Sequence, residues 1–450
     1  MKKRILAMLL TAVMALSMVA CGGSKEEAPA QDAAVEEEAP AADEEAPAAT
    51  GSVYYLNFKP EADQAWQELA ATYTEQTGVE VKVVTAASGE YENTLTAEMG
   101  KNSAPTLFQC GNNQSLATWG DYCLDLSGTD VYAEMTTDDF NLKGEDGSVK
   151  AIGYCYEAFG LITNKALLAE AGYDVADIKD FASLKAIAED ITARSEELGF
   201  SAFSSAGLDG SSSWRFSGHL ANMPLFYEFR DDNVTSQPAE ITGAYLENYK
   251  NIWDLYINNT TIDKNALATA TGDMSLDEFG TGKAVFYQNG TWEYANLTGE
   301  EKGYLMNPED LTMLPIYIGV EGEEKSALAC GTENCWAVNS QAAEEDIQAT
   351  FDFMKWVVTS EEGTTMMAEQ FGPIPFKAAK ASENVFFTAA NDLIANGNYV
   401  VTWAVNYTPN VDEWRAGVVS ALTQYSATGE GWENVETAFV NGWATQYAAQ

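Results

Sequence analysis

Histidine is all but missing: His219 is the one imidazole in 450 residues. Its scarcity excludes most Ser-His and Cys-His catalysis and His-ligated metal chemistry, and His219 itself reads as a packing residue. Basic residues are few as well. Twenty-four Lys+Arg stand against 68 Asp+Glu, a net charge of -44. Such a field repels phosphate backbones and anionic headgroups, so a nucleic-acid partner is excluded. No Gly-rich phosphate loop occurs. The six cysteines are Cys21, Cys110, Cys123, Cys155, Cys330 and Cys335. If Cys21 carries lipid, the five others are an odd set that cannot complete a disulfide framework. Cys330 and Cys335 lack the spacing and partners of a zinc site, and a bridge between them stays open. No cofactor and no metal are expected. Long apolar runs are absent too, since the best candidate, residues 5–19, falls short of the ~20 residues that span a bilayer.

That run follows Lys2-Lys3-Arg4 and precedes Ala20-Cys21-Gly22-Gly23, the three parts of a signal peptide, assigned to residues 1–20. With Cys21 after Ala20 it resembles a bacterial lipoprotein signal, in which that cysteine is lipidated and becomes the first residue, although Met18 stands where leucine is usual. Residues 21–50 are then the lipidated Cys21 and an acidic linker. From 25 to 50 the chain is nearly all Ala, Pro, Glu and Asp. It has too few large apolar side chains to offset the entropy of folding, and charge and proline keep it extended.

Beyond Gly51 the pattern is globular, and a 450-residue sequence with 46% hydrophobic residues suits two domains rather than one. Residues 53–58 read as a strand, and Pro60 opens a helix whose apolar face carries Trp66, Leu69, Ala70 and Tyr73. Gly78 ends that helix; Val79, Val81 and Val83 alternate as a second strand, and a helix around 95–99 leads to a third at 106–110. Such alternation predicts an α/β fold with parallel pairing and right-handed crossovers. Thr359 and Glu362 suggest a capping box, 311–318 reads as strand-like despite Pro315, and residues from 383 onward read as mainly helical.

Several stretches resemble one family, the extracellular solute-binding proteins of sugar ABC importers that include the maltose-binding protein. They are Glu157-Ala-Phe-Gly-Leu-Ile-Thr-Asn164-Lys165 before a short helix, the Gly282-to-Trp292 run GKAVFYQNGTW, and 350–375 with Trp-Val-Val-Thr-Ser-Glu-Glu-Gly and Gly-Pro-Ile-Pro. The resemblance implies a two-lobed, type II-like periplasmic-binding-protein fold with a hinge crossed three times, near 152–157, 313–316 and 372–376. Lobe 1 is expected from 51–153 with 315–373, and lobe 2 from 154–314 with 374–450. It also implies a carbohydrate ligand between the lobes, the membrane permease subunits of an ABC importer as partner, membrane contact through the lipid anchor alone, a monomer, and no catalysis.

Ligands of open parallel sheets sit beyond the carboxyl ends of strands. The loops so placed carry Lys59, Glu61, Asn112 and Asn113 in one half, and Glu157, Trp214, Arg215, Asn289, Trp292 and Trp414 in the other, while Glu333 lies in a loop before a strand, within reach of the ligand. A sugar offers a flat C–H face to an aromatic ring and a hydroxyl rim to amides, carboxylates and guanidinium groups. Asn289-Gly290 reads as a turn closing the strand-like run 284–287, and Trp292 just past it therefore reads as a stacking platform with Asn289 at the rim. Against several of them stand other readings: Asn112 and Asn113 as turn residues, Lys59 and Glu61 as helix caps, Glu157 as a hinge hydrogen-bonder, Glu333 as part of a solvated loop, and Trp403 as a rival to Trp414 for the stacking role. Two rival functions remain. A secreted glycoside hydrolase would need two facing carboxylates. The same fold could instead take a polyamine, amino acid, peptide or metal ion, although the loops offer mostly amides and aromatics where a hard cation needs converging carboxylates.

Overall fold

The computed structural model describes residues 51–450; the expected signal peptide, lipidated Cys21 and acidic linker lie outside the described residues. Twelve strands run in chain order: β1 (Ser52–Asn57), β2 (Glu80–Thr85), β3 (Leu107–Gln109), β4 (Leu142–Lys143), β5 (Val149–Gly153) and β6 (Glu157–Asn164). There follow β7 (Ser201–Phe203), β8 (Ala284–Gly290), β9 (Leu311–Leu314), β10 (Ser326–Gly331), β11 (Cys335–Val338) and β12 (Tyr399–Thr402). They form two mixed sheets. The first is ordered β2-β1-β3-β11-β5-β4, the second β12-β10-β6-β8-β7, with β9 also pairing β6. β1 pairs parallel with β2 and β3, joined by the helices Asp63–Thr77 and Tyr91–Met99, so the opening of the chain is the expected pair of crossovers.

Local chemistry accounts for these boundaries. Pro60 opens a short 3-10 turn that leads into the helix Asp63–Thr77, whose buried face is Trp66, Leu69, Ala70 and Tyr73. Gly78 ends it with φ of 76°, a left-handed backbone that a side chain disfavours. Downstream, Ser360 rather than Thr359 caps the helix Glu361–Gln370, because its hydroxyl is the one that reaches the Gly363 N–H.

Each sheet has its own core. Around the first, Tyr154 stacks on Trp336 at 4.4 Å, and Trp66 and Phe371 close against them. Around the second, Trp253, Phe216, Trp414 and Trp443 are buried among the helices Leu246–Asn258, Val411–Thr428 and Trp432–Ala448. The chain passes between the sheets three times: from β5 to β6 through 154–156, from β10 to β11 through 332–334, and from the Phe376 region to the helix Val385–Ala395.

The second passage corrects the expectation of a crossing at 313–316 and a lobe boundary at 315. β9 stops at Leu314, before Pro315, yet Ile316, Tyr317, Ile318 and Val320 stay in the second core, and β10 pairs with β6. Proline ended a strand there, not a lobe. The third passage also falls later than 372–376, since Ile374 and Phe376 pack in the first core and Phe376 bridges Met135. The C-terminal region holds one strand, β12, paired parallel with β10.

Candidate functional site

Loops at the sheet ends meet across a cleft of about 470 Å³. Lys59, Glu61 and Asn112 line it from the first sheet's side, and Glu157, Trp214, Trp292 and Glu333 from the second sheet and the crossing segments. Four residues expected there are not among its lining: Asn113, Arg215, Asn289 and Trp414. Asn113 is the first residue of the helix Asn113–Trp119, for which Asn112 is the cap, accepting the Ser115 N–H at 2.9 Å. Arg215 is 1% exposed and spends its N–H groups beneath the cleft on Gln288 O, Ser205 O, Ser212 Oγ and Ser275 Oγ.

Asn289 fails for a reason of secondary structure. The pair Asn289-Gly290 is not a turn; it lies inside β8, opposite Gly160 and Phe159 of β6. The side chain of Asn289 is buried and donates to Tyr287 Oη at 2.6 Å and Glu293 Oε1 at 2.9 Å. Trp414 is 1% exposed, its Nε1 donating to Phe439 O at 2.8 Å between two helices. The next residue, Arg415, takes the cleft side instead, as a step of about 100° around a helix requires.

Aromatic groups form one wall. Trp292 lies 6.0 Å from Trp214 and 5.4 Å from His219, His219 stacks on Phe159 at 4.1 Å, and Phe159 reaches Trp403 at 5.5 Å. Two glycines make room for the indoles. A Cβ on Gly290 would stand 2.2 Å from the Trp292 ring, and one on Gly331 would stand 2.5 Å from that of Trp403. Trp292 is not a bare platform: the Lys59 ammonium sits over its ring, 4.7 Å from the centroid.

Polar groups face this wall. Lys59 Nζ pairs with Glu157 Oε1 at 2.8 Å and lies 3.5 Å from Glu61 Oε1. Asn334 Nδ2 donates to the other Glu157 oxygen at 2.7 Å. Burial works to lower the Lys59 pKa, but the carboxylates of Glu157 and Glu61 outweigh it and the net shift is upward. Burial raises Glu61 and Glu333, against the pull of Lys59 on the first and of Arg415 and Lys59 on the second. His219 is held neutral: burial, then the charges of Arg415, Arg215 and Lys59, push its pKa well below the usual value. At the rim the halves touch, with Ser88 Oγ donating to Ser211 O at 3.5 Å and Gln450 Nε2 donating to Gln114 Oε1 at 2.7 Å.

Phe159, His219 and Arg415 also line the cleft and were not anticipated as site residues; Gln109 lines it from the loop expected there, and Trp403, the rival of Trp414, lines it in place of Trp414. Phe159 had a readable signal, since it lies two residues from Glu157 on one strand and so on the same face. Trp403 follows the end of β12, the same post-strand position used for the other loops. His219 had none, because its place comes from a π-type turn, Arg215–Leu220, that apolar spacing does not announce.

With this geometry in view, the chain compares with known proteins as follows. The family model of bacterial extracellular solute-binding proteins matches residues 68–393, well over half of the chain. The chain belongs to that family. Among solved structures this solute-binding protein resembles RafE in complex with raffinose, at 16% identity and TM-score 0.69, over 88% of this chain and 100% of that one. It also resembles a sugar transporter of Bacillus licheniformis in complex with stachyose, at 16% identity and TM-score 0.67, over 88% and 100%. A chitin oligosaccharide binding protein matches at 16% and TM-score 0.67, over 89% and 99%. These likenesses establish the two-lobed fold. No curated protein sequence matches. Among the described residues, no helix of the solute-binding protein is long and apolar enough to cross a membrane. No group of three or more His, Cys, Asp or Glu there is placed to hold a metal ion.

Proposed function

We propose that the cleft captures a sugar or oligosaccharide and that the protein, a monomer held to the outer face of the membrane by lipid on Cys21, delivers it unreacted to the permease subunits of an ABC importer. The observation that carries this reading is the wall of Trp214, Trp292 and Trp403 standing opposite carboxylates, amides and a guanidinium. Rings meet the C–H faces of a pyranose and the polar groups meet its hydroxyls. The sugars named with the similar folds, raffinose, stachyose and chitin oligosaccharide, point the same way.

Binding without catalysis is supported by the state of Glu157. Its two oxygens are committed to Lys59 and Asn334, which leaves it poorly suited to trade a proton with a glycosidic oxygen. A cationic ligand is disfavoured because Lys59 already occupies the aromatic and acidic niche such a ligand would seek.

A thermal-shift screen with raffinose, stachyose, chito-oligosaccharides, monosaccharides and spermidine tests the reading, since a ligand of the native state raises its melting temperature. The expected result is stabilisation by at least one sugar, with the sugar recovered intact after incubation. Stabilisation by spermidine alone, or shortened products, overturns it. Replacing Cys21 by alanine is expected to release the protein from cell membranes into the medium.

A further inference from the structure

Lys59 is the point where both lobes and two of the three crossing segments come together. Its backbone is fixed to the tip of the first sheet: Asn57 Oδ1 accepts the Lys59 N–H at 3.0 Å and Asn57 Nδ2 donates to the Lys59 carbonyl at 2.8 Å. Asn57 Nδ2 also donates to Thr85 Oγ1 at 3.0 Å, tying the same point to β2. Across the gap, Glu157 opens β6 of the second sheet and pairs in register with Gly331 of β10. Its second oxygen is held by Asn334 of the 332–334 passage, and Asn334 Oδ1 accepts from Tyr154 Oη of the 154–156 passage at 3.3 Å.

An ammonium has three donor directions. Lys59 uses one on Glu157 at 2.8 Å and has Glu61 at 3.5 Å, while the Trp292 ring lies beneath it at 4.7 Å. Its side chain is 8% exposed and that of Glu157 5%. A buried ion pair adds little net stability over an apolar pair of the same size, whereas its directionality fixes how two surfaces meet.

We propose that Lys59 is a positioning residue, an internal cation that pins the first lobe to Glu157 and Trp292 of the second at the fulcrum of the hinge. The pin is present without ligand and stays closed while the rim contacts part. It sets the angle between the lobes and holds the Trp292 indole in place. It goes beyond the proposed function and does not depend on the ligand being a sugar.

Two ligand-free measurements test it. Small-angle scattering is compared for wild type, Lys59→Arg and the double variant Lys59→Met/Glu157→Gln, which removes both charges of the buried pair and leaves only the partly exposed Glu61 without its cation. The double variant is expected to show a larger radius of gyration than wild type with a melting temperature close to it, and Lys59→Arg to restore the wild-type profile. A double variant with the wild-type profile overturns the pin and leaves Lys59 to the ligand. Hydrogen exchange on the unaltered protein needs no variant to fold. Amides around Glu157 and Asn334 are expected to stay protected while those at Ser88, Gly89 and Ser211 exchange quickly. Equal, rapid exchange at both places overturns the pin. Neither readout involves a sugar, so failure of the pin and failure of the sugar reading are separate results.

Discussion

Glu293 shows how much a single side chain depends on what surrounds it. It is 8% exposed, and Asn289, Asn296 and Tyr287 donate to it. Burial pushes its pKa up to about 7 from an ordinary 4.5, with the nearby charge of Glu61 adding to the rise. Since the folded value lies above the unfolded one, the unfolded chain loses this proton first. Glu293 therefore lowers stability progressively as pH climbs from about 4.5 to 7, by about 3 kcal/mol in all. Denaturant titrations at pH 5 and pH 8 are expected to show Glu293→Gln gaining stability relative to wild type at the higher pH. A constant difference between the two proteins would remove the assignment. Trp403 and Trp292 make a second comparison. Trp403 rests on Gly331 with Phe159 as its ring neighbour, whereas Trp292 carries Lys59 on one face. Alanine at either position is expected to weaken binding of a sugar from the screen by about 1–3 kcal/mol, the scale of one buried aromatic contact, read by calorimetry. Of the eleven expected site residues, Lys59 and Glu157 line the cleft as their loops suggested, and Trp414 does not. Residue type and loop position are visible in a sequence, but the phase of a helix against its neighbours is set by packing, and Arg415 stands where Trp414 was expected.

At the scale of elements, the strands and helices of the first lobe follow from alternation, Pro60 and Gly78, as local preferences should when they agree with the fold. The run Ala284–Gly290 is where local reading failed. Asn-Gly favours a tight turn, yet here β8 continues through it because β6 supplies ladder partners and Gly290 gives the Trp292 ring room. A second glycine acts between elements. Gly89 has φ of 78°, and a Cβ on it would stand 2.7 Å from the carbonyl oxygen of Gly210 across the rim. Gly89→Val is expected to hold the lobes apart, seen as a wider scattering profile that added sugar no longer contracts. Full contraction would show that the rim can close another way.

For the whole molecule, all five cysteines among the described residues are free thiols, and Cys330 and Cys335 belong to strands of different sheets. The possible bridge between them does not form, and dithiothreitol is expected to leave the melting temperature unchanged. The large excess of acid spreads over a surface in which few exposed ion pairs matter, while among the described residues Lys59–Glu157 is the most buried pair, its side chains 8% and 5% exposed. By itself the sequence determined the α/β class, the loops that face the cleft and the kind of chemistry gathered there, because periodicity, punctuation and residue type act over a few neighbours along the chain, while the two-lobed arrangement was implied by the family resemblance. Only the tertiary structure decided that the middle crossing lies at 332–334, that Asn289, Arg215 and Trp414 are interior, and that Lys59 is already spoken for. Those outcomes depend on which strand pairs with β6 and which side chain meets it across a gap of about a hundred residues. Burial and ion pairing of that kind are properties of packed surfaces rather than of neighbours in sequence.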